Sequence, residues 1–196
     1  NETVVLIGGG RGHMPLTTIA KVYKQHNCKI IFFVGYHKNE YIVRQKEMEK
    51  HSDILIYAIE DETPNIKLNR PQDKQYQGLI TDAIKDYFAN NPQKIDRIFT
   101  IGGDKMMAEI ARLRHENLVP EFAQAKYAIT SLNAPMQCMM KGVCSQCLQK
   151  KKNKNEYFYS CANQDQNTDE LDFKHLHNRC EQNSLKRDLR SLVLRR

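Results

Sequence analysis

A chain of 196 residues can bury the core of one sizeable domain and a small appendage, and is too short for two full domains. With 40% hydrophobic and 27% charged residues its composition is ordinary for a globular protein, and no run approaches the roughly 20 apolar residues of a membrane-spanning helix. The formal charge of +7 is densest at residues 150–154 and 186–196; such runs are ordinarily solvated faces, so nucleic acid is not the expected partner.

Residues 1–3 lead straight into an apolar run with no basic leader segment or cleavage site, so the first residue reads as a cut inside a longer chain. Residues 3–7 (TVVLI) form a continuous, mostly β-branched stretch ended by glycines, the pattern of a strand buried on both faces. A helix is expected from Pro15, since proline suits a first turn. The pattern repeats with strands at 29–35 (KIIFFVG), 53–58 (DILIYA), 96–101 (DRIFTI) and 126–131 (KYAITS), and helices at 39–50, 78–89 and 105–115. Residues 60–77 carry two prolines and little periodicity and read as a long surface loop. Strands alternating with helices imply an α/β domain over residues 1–131, a five-stranded doubly wound parallel sheet with right-handed crossovers.

Beyond residue 131 the alternation stops. A cysteine-rich subdomain is expected over 132–180 and a basic helical tail over 181–196. The aromatic triplet at 157–159 can pair back on the segment after Cys147 as a hairpin with a polar turn, and residues 172–180 and 185–194 read as short helices.

Between the first strand and first helix lies Gly8-Gly9-Gly10-Arg11-Gly12-His13-Met14-Pro15. Glycines there let backbone approach a pyrophosphate, the helix N-terminus offers unpaired N–H groups, and Arg11 adds charge. A second glycine element, Gly102-Gly103-Asp104-Lys105-Met106-Met107, joins the fourth strand of this reading to its helix. The two turns should face one another across the crevice at the switch point, with at least one of the two methionines packed in the core. His37 and Lys38 follow the second strand, where a cation favours a ribose 2′-phosphate and an acid a free 2′-hydroxyl; they hint at NADP, and the choice between NAD and NADP stays open.

Of six cysteines, Cys138, Cys144, Cys147 and Cys161 fall close together, a ligand cluster rather than a disulfide framework, which fits a reducing cytoplasm. The Cys144-x-x-Cys147 pair lets one loop present two thiolates to one centre, as either an iron–sulfur cluster or zinc requires. The spacing is near the plant-type ferredoxin order, whereas zinc ribbons more often have two close pairs. Cys28 reads as a small core residue, and Cys180 as a structural or free thiol.

Taken together, GGGRGHMPL, QGLITDAIKDYF, IGGDKMM, SLNAPMQCMMKGVCSQC and YFYSCANQ resemble, in this order, the NAD(P)-binding and iron–sulfur parts of ferredoxin–NADP reductase-like electron-transfer proteins. Nearest in pattern are the electron-transfer subunit of type B dihydroorotate dehydrogenase and the small subunits of sulfide dehydrogenase and NADH-dependent ferredoxin:NADP oxidoreductase, some fused to glutamate synthase-like modules. The resemblance implies a ferredoxin reductase-like nucleotide domain. It also implies a 2Fe-2S cluster on Cys138, Cys144, Cys147 and Cys161, and an FAD held mainly by a barrel domain N-terminal to this chain. Electrons would pass between NAD(P)H, flavin, cluster and an electron-acceptor subunit or fused module. Cofactors do that chemistry, so no side-chain acid or base is nominated. Gly8, Gly9, Gly10, Arg11, Gly12 and Pro15 would border the phosphates, His37 and Lys38 the ribose, and Gly102, Gly103, Asp104 and Met106 the nicotinamide side; without flavin the chain should be inactive. Two departures stand out: five residues separate Cys138 from Cys144 where the family usually has four, and Met14 stands where it usually has alanine. Outside the resemblance, the cysteine cluster and the basic run beside it suit a zinc-stabilised nucleotide-binding module that senses redox state or docks an acidic partner.

Overall fold

The computed structural model describes residues 2–132, 147–152 and 155–182. It divides into two compact units, Asn1–Ser131 with Asn167–Asp169, and Leu132–Gln166 with Glu170–Arg196.

The first unit is built from β1 (Thr3–Gly9), α1 (His13–Gln25), β2 (Lys29–Tyr36), α2 (Gln45–Lys50), β3 (Ile54–Ile59), β4 (Lys74–Gln77), α3 (Ile80–Asn90), β5 (Arg97–Ile101), α4 (Asp104–His115), α5 (Pro120–Gln124) and β6 (Tyr127–Ser131). The sheet runs β4-β3-β2-β1-β5-β6, with β9 (Asp165–Asn167) beyond β6 as a seventh strand, and the pairings from β4 through β6 are all parallel. The expected doubly wound α/β architecture is present, with seven strands in place of five.

Successive side chains of a strand point to opposite faces, and here both faces are covered. Val5, Ile7, Ile31, Phe33, Ile56 and Ile98 pack with Ile84, Phe88, Ile110 and Phe122 from α3, α4 and α5. Val4, Leu6, Ile30, Phe32, Leu55 and Tyr57 pack with Leu16 and Ala20 of α1 and Met48 of α2. Each large apolar side chain taken fully out of water contributes about 1.5–3 kcal/mol, so the two half-cores supply the main driving force for this layering. The chain leaves β1 for β2 on one side and returns to β5 on the other, which puts a topological switch point at the C-terminal ends of β1 and β5.

The segment expected to be loop throughout, residues 60–77, ends in β4. Its sequence, KQYQ, hides the strand because β4 lies at the sheet edge and only Tyr76 packs against a core cluster. The loop before it is clasped by Arg70, whose Nη1 donates to the carbonyls of Glu49 and Ser52, each at 2.6 Å. Arg70 also pairs with Asp73, and the buried Asp73 carboxylate accepts the Leu55 N–H at 2.9 Å. The helix expected over 39–50 is shorter: Asn39–Tyr41 is one 3-10 turn, and Arg44, with φ 58°, sits in the left-handed region just before α2. The five-residue α5, which opens on Pro120, was not anticipated.

In the second unit β7 (Leu148–Lys150) and β8 (Tyr157–Tyr159) pair antiparallel, Leu148 opposite Tyr159 and Lys150 opposite Tyr157, the hairpin expected from the aromatic triplet. The short helix expected at 172–180 is α6 (Phe173–Gln182), and the Asp172 carboxylate accepts the His175 N–H at its start. Residues 183–196, with the expected basic tail and second helix, lie outside the described residues.

Candidate functional site

The β1–α1 turn is shaped by what its glycines exclude. Gly10 has φ +54°, a conformation side chains resist. Gly12 lies so close to β5 that a Cβ on it would fall 2.2 Å from the Ile101 carbonyl oxygen. The second glycine turn meets the first: a Cβ on Gly102 would fall 3.2 Å from the Gly9 Cα, and one on Gly9 would fall 3.5 Å from the Gly102 Cα. The two turns therefore face one another as the sequence predicts. Met106 lies over both, since added Cβ atoms would fall 2.7 Å from its Sδ at Gly9 and 2.4 Å from its Cε at Gly102. Its neighbour Met107 is buried in the core.

A cleft of about 1230 Å³ opens here. That is large beside the roughly 300–1,000 Å³ of common small-molecule sites and suits an extended ligand. Two helix N-termini abut it, α1 after Gly12 and α4 after Gly103, and neither receives a side-chain cap. Unpaired first-turn N–H groups together with the positive end of the helix dipole favour an anion.

Of the nominated residues, Gly9, Gly10, Arg11, His37, Gly103, Asp104 and Met106 line this cleft. Gly8, Gly12 and Gly102 belong to the turns behind it. Pro15 is the third residue of α1 and exposed, and Lys38 is exposed; neither is a lining residue.

Three features escaped the sequence reading. His13, fully buried, has Nδ1 2.7 Å from the Gly10 carbonyl oxygen and 3.1 Å from the Tyr36 hydroxyl. The short contact with a carbonyl puts the proton on Nδ1, and the other ring nitrogen, Nε2, is buried without a hydrogen-bond partner. The rings of His13 and Tyr36 meet edge to face at 5.5 Å, and burial pushes the Tyr36 phenol above its ordinary range. This pair ties the turn to the end of β2. Secondly, Tyr41, Val43 and Leu79 give the cleft an exposed apolar rim. Thirdly, Glu60 lines the cleft beside His37, with the His37 Nδ1 3.1 Å from the Glu60 carboxylate and 3.4 Å from that of Asp61. A histidine at the first helical residue and a tyrosine ending a strand were the available signals for the buried pair. Residues 23 apart gave none for their contact.

In the second unit the hairpin sets Cys147 beside Cys161. Ser160 donates to the Cys147 carbonyl from its N–H at 3.0 Å and from its hydroxyl at 3.3 Å. Burial raises the Cys147 thiol pKa, but hydrogen bonding from the Cys161 side chain and backbone, helped by the Ser160 hydroxyl, outweighs it and leaves the pKa lowered. That environment favours the thiolate, the form that ligates metal. Cys138 and Cys144 lie outside the described residues. Cys28 is buried in the core of the first unit, as expected.

No family profile matches the chain. It is 25% identical over 160 residues to the dihydroorotate dehydrogenase B (NAD(+)) electron transfer subunit of Fusobacterium nucleatum, covering 82% of this chain and 53% of that protein. It is 28% identical over 144 residues to a homolog of that subunit from Thermotoga maritima, covering 74% of this chain and 44% of that protein. A 64-residue stretch, 33% of this chain and 9% of the other, is 48% identical to an uncharacterized protein of Rickettsia prowazekii. The chain thus spans about half the length of the two electron transfer subunits. A solved chain of the NADH-dependent reduced ferredoxin–NADP oxidoreductase superposes with a TM-score of 0.72 at 21% identity, covering 100% of this chain and 63% of that one, and so shares its fold. Among the described residues no helix is long and apolar enough to cross a membrane. In sequence the chain is thus similar to dihydroorotate dehydrogenase B electron transfer subunits, and its fold is ferredoxin reductase-like.

Proposed function

We propose that this chain is the nicotinamide-dinucleotide-binding and iron–sulfur portion of a flavin-dependent oxidoreductase, working with an FAD held mainly on a separate domain and with an electron-accepting subunit or module. The observation that carries the reading is the pair of facing glycine turns at the switch point, each leading into an uncapped helix N-terminus beside one large cleft. The first turn admits the pyrophosphate, with Gly9 and Gly10 at the cleft wall and Arg11 as counter-charge, while Gly12 fixes the turn against β5. Gly103, Asp104 and Met106 border the nicotinamide end, with Gly102 behind them. The relatives support an electron-transfer role, since those with a named activity are electron transfer subunits.

Cys147 and Cys161 fit a cluster: they are held together by a hairpin of fixed register, and Cys147 is biased toward thiolate. With Cys138 and Cys144 they would make a four-thiolate set for a 2Fe-2S centre. When bound, such a centre accepts and passes single electrons; the chain's own residues orient the nucleotide, hold the thiolates and exclude water.

The test is metal and sulfide content with a visible spectrum on protein prepared without oxygen. About two irons and two sulfides per chain with visible bands are expected. One zinc and no colour would refute the cluster and leave the cleft as the site to explain.

A further inference from the structure

On the nucleotide reading of the cleft, we infer that His13 is a positioning residue: its Nδ1–H, held on the Gly10 carbonyl, sets the first glycine turn in the conformation that receives the pyrophosphate. The exposed end of that turn has no packing of its own and takes its shape from this buried imidazole.

The two ends of the contact differ in stiffness. Gly10 is exposed, has φ +54° and has nothing within 4 Å of its Cβ position. Glycine takes left-handed and right-handed conformations about equally readily, and the short 3-10 turn Gly10–Gly12 is a weak restraint on it. His13, by contrast, is buried and held by β1, α1 and β2. A Cβ on Gly8 would fall 2.9 Å from both its backbone N and its Cα, so the end of β1 presses on its main chain. Within α1 the Thr17 hydroxyl donates to its carbonyl at 2.8 Å. Tyr36, which ends β2, meets its ring edge to face at 5.5 Å and sets a hydroxyl oxygen 3.1 Å from Nδ1. The 2.7 Å contact between Nδ1 and the Gly10 carbonyl oxygen therefore ties a soft residue to a rigid one.

The direction of the tie matters to an anion. Among the described residues no peptide bond is cis, and in a planar trans peptide the carbonyl and the following N–H point opposite ways. Drawing the Gly10 carbonyl inward onto a buried ring takes a partial negative charge away from the cleft wall. It also turns the Arg11 N–H outward, on the side where Gly10 and Arg11 line the cleft. The other ring nitrogen, Nε2, is buried without a hydrogen-bond partner, a cost to folding that an apolar side chain would avoid, so the imidazole acts through Nδ1. A turn released from the tie samples other conformations, and apparent affinity falls with the fraction that stays competent. The net worth of one ordinary hydrogen bond corresponds to about three- to tenfold in that fraction.

Calorimetric titration of the whole chain with inorganic pyrophosphate and with NAD+ tests this on the parent, His13→Asn and His13→Leu. The asparagine amide nitrogen branches from Cγ as the imidazole Nδ1 does and can donate to the Gly10 carbonyl, whereas leucine has no donor. A merely structural role and a positioning role predict opposite orders for the two variants. Leucine removes the orphaned ring nitrogen while asparagine leaves a polar carbonyl in the same buried place, so His13→Leu should melt higher than His13→Asn. In binding, His13→Asn should stay within about twofold of the parent, and His13→Leu should lose about three- to tenfold for both ligands. His13→Phe, which keeps a ring against Tyr36 without a donor, repeats the test with the same expected loss. Affinities that follow the melting order, or donor-free variants that bind as tightly as the parent, overturn the positioning role and leave the nucleotide cleft standing. Failure of both ligands to bind the parent removes the nucleotide reading and this inference with it.

Discussion

Replacing Gly12 with alanine should weaken the first unit through a purely steric clash. The added Cβ would fall 2.2 Å from the Ile101 carbonyl oxygen and 2.8 Å from its carbonyl carbon. Ordinary contact begins near 3.4 Å, so the turn and the strand must separate by about 1 Å. Both partners are backbone, and no rotamer change relieves the clash. The strand is not free to retreat either, because β5 is paired on both sides by β1 and β6. That places the cost at the upper end of the overpacking range, about 3 kcal/mol. Gly12 has φ −61° and ψ −19°, comfortable for alanine, so lost freedom in the unfolded chain returns up to about 1 kcal/mol. The net is about 2 kcal/mol, which for a chain of this size lowers Tm by roughly 4–8 °C. Gly10→Ala is the matched control: nothing lies within 4 Å of its Cβ position, but φ is +54°, so the cost is conformational and about 1 kcal/mol. Urea unfolding followed by circular dichroism, with thermal melts, gives both numbers. A Gly12→Ala protein as stable as the parent, or less destabilised than Gly10→Ala, would refute the packing argument.

Asp73→Ala removes the carboxylate that holds Arg70 and the Leu55 N–H, and should cost about 3 kcal/mol in urea unfolding because it leaves a part-buried guanidinium without its charge partner; a loss below 0.5 kcal/mol in magnitude, the ordinary scatter of surface changes, would contradict the clasp. The hydrogen bonds from Arg114, with a lesser share from His115, hold the Asp169 carboxyl below its ordinary pKa against the opposing effect of burial. Its contribution is therefore complete above the unfolded-state carboxyl value near pH 4 and is lost as pH falls through the lower folded value. Asp169→Asn should lower stability at neutral pH and flatten the acid limb below about pH 4, and an unchanged acid limb would count against it. Under the iron–sulfur reading, Cys147→Ser should lose the visible bands and most bound iron, while Cys28→Ser, altered in the core of the first unit, should keep both; equal iron in the two variants would exclude Cys147 as a ligand.

The sheet was legible because its strands are buried on both faces, so β1, β2 and β3 stand out as apolar runs without alternation. β4 was not, since an edge strand needs few apolar side chains and KQYQ supplies one. α5 was missed for a related reason: five residues anchored by buried Phe122 carry no readable period. At the site, glycines announced the turns because backbone approach demands them. The carboxylate neighbours of His37 were not readable, because Glu60 and Asp61 lie more than 20 positions away and are brought alongside by strand pairing alone. The hairpin of β7 and β8 could be read from three aromatics and a polar turn. The proximity of Cys147 and Cys161 then follows from its register, Leu148 opposite Tyr159.

The seating of Gly12 on Ile101, with Gly9 and Gly102 nearly in backbone contact beside it, gives the cleft a floor that is assembled before any ligand arrives. On the proposed nucleotide reading, a pyrophosphate settling on it would order no loop, so association would be limited by encounter and orientation rather than by a preceding rearrangement. Contact with the apolar part of such a ligand would fall instead to the rim, where Tyr41, Val43 and Leu79 are exposed.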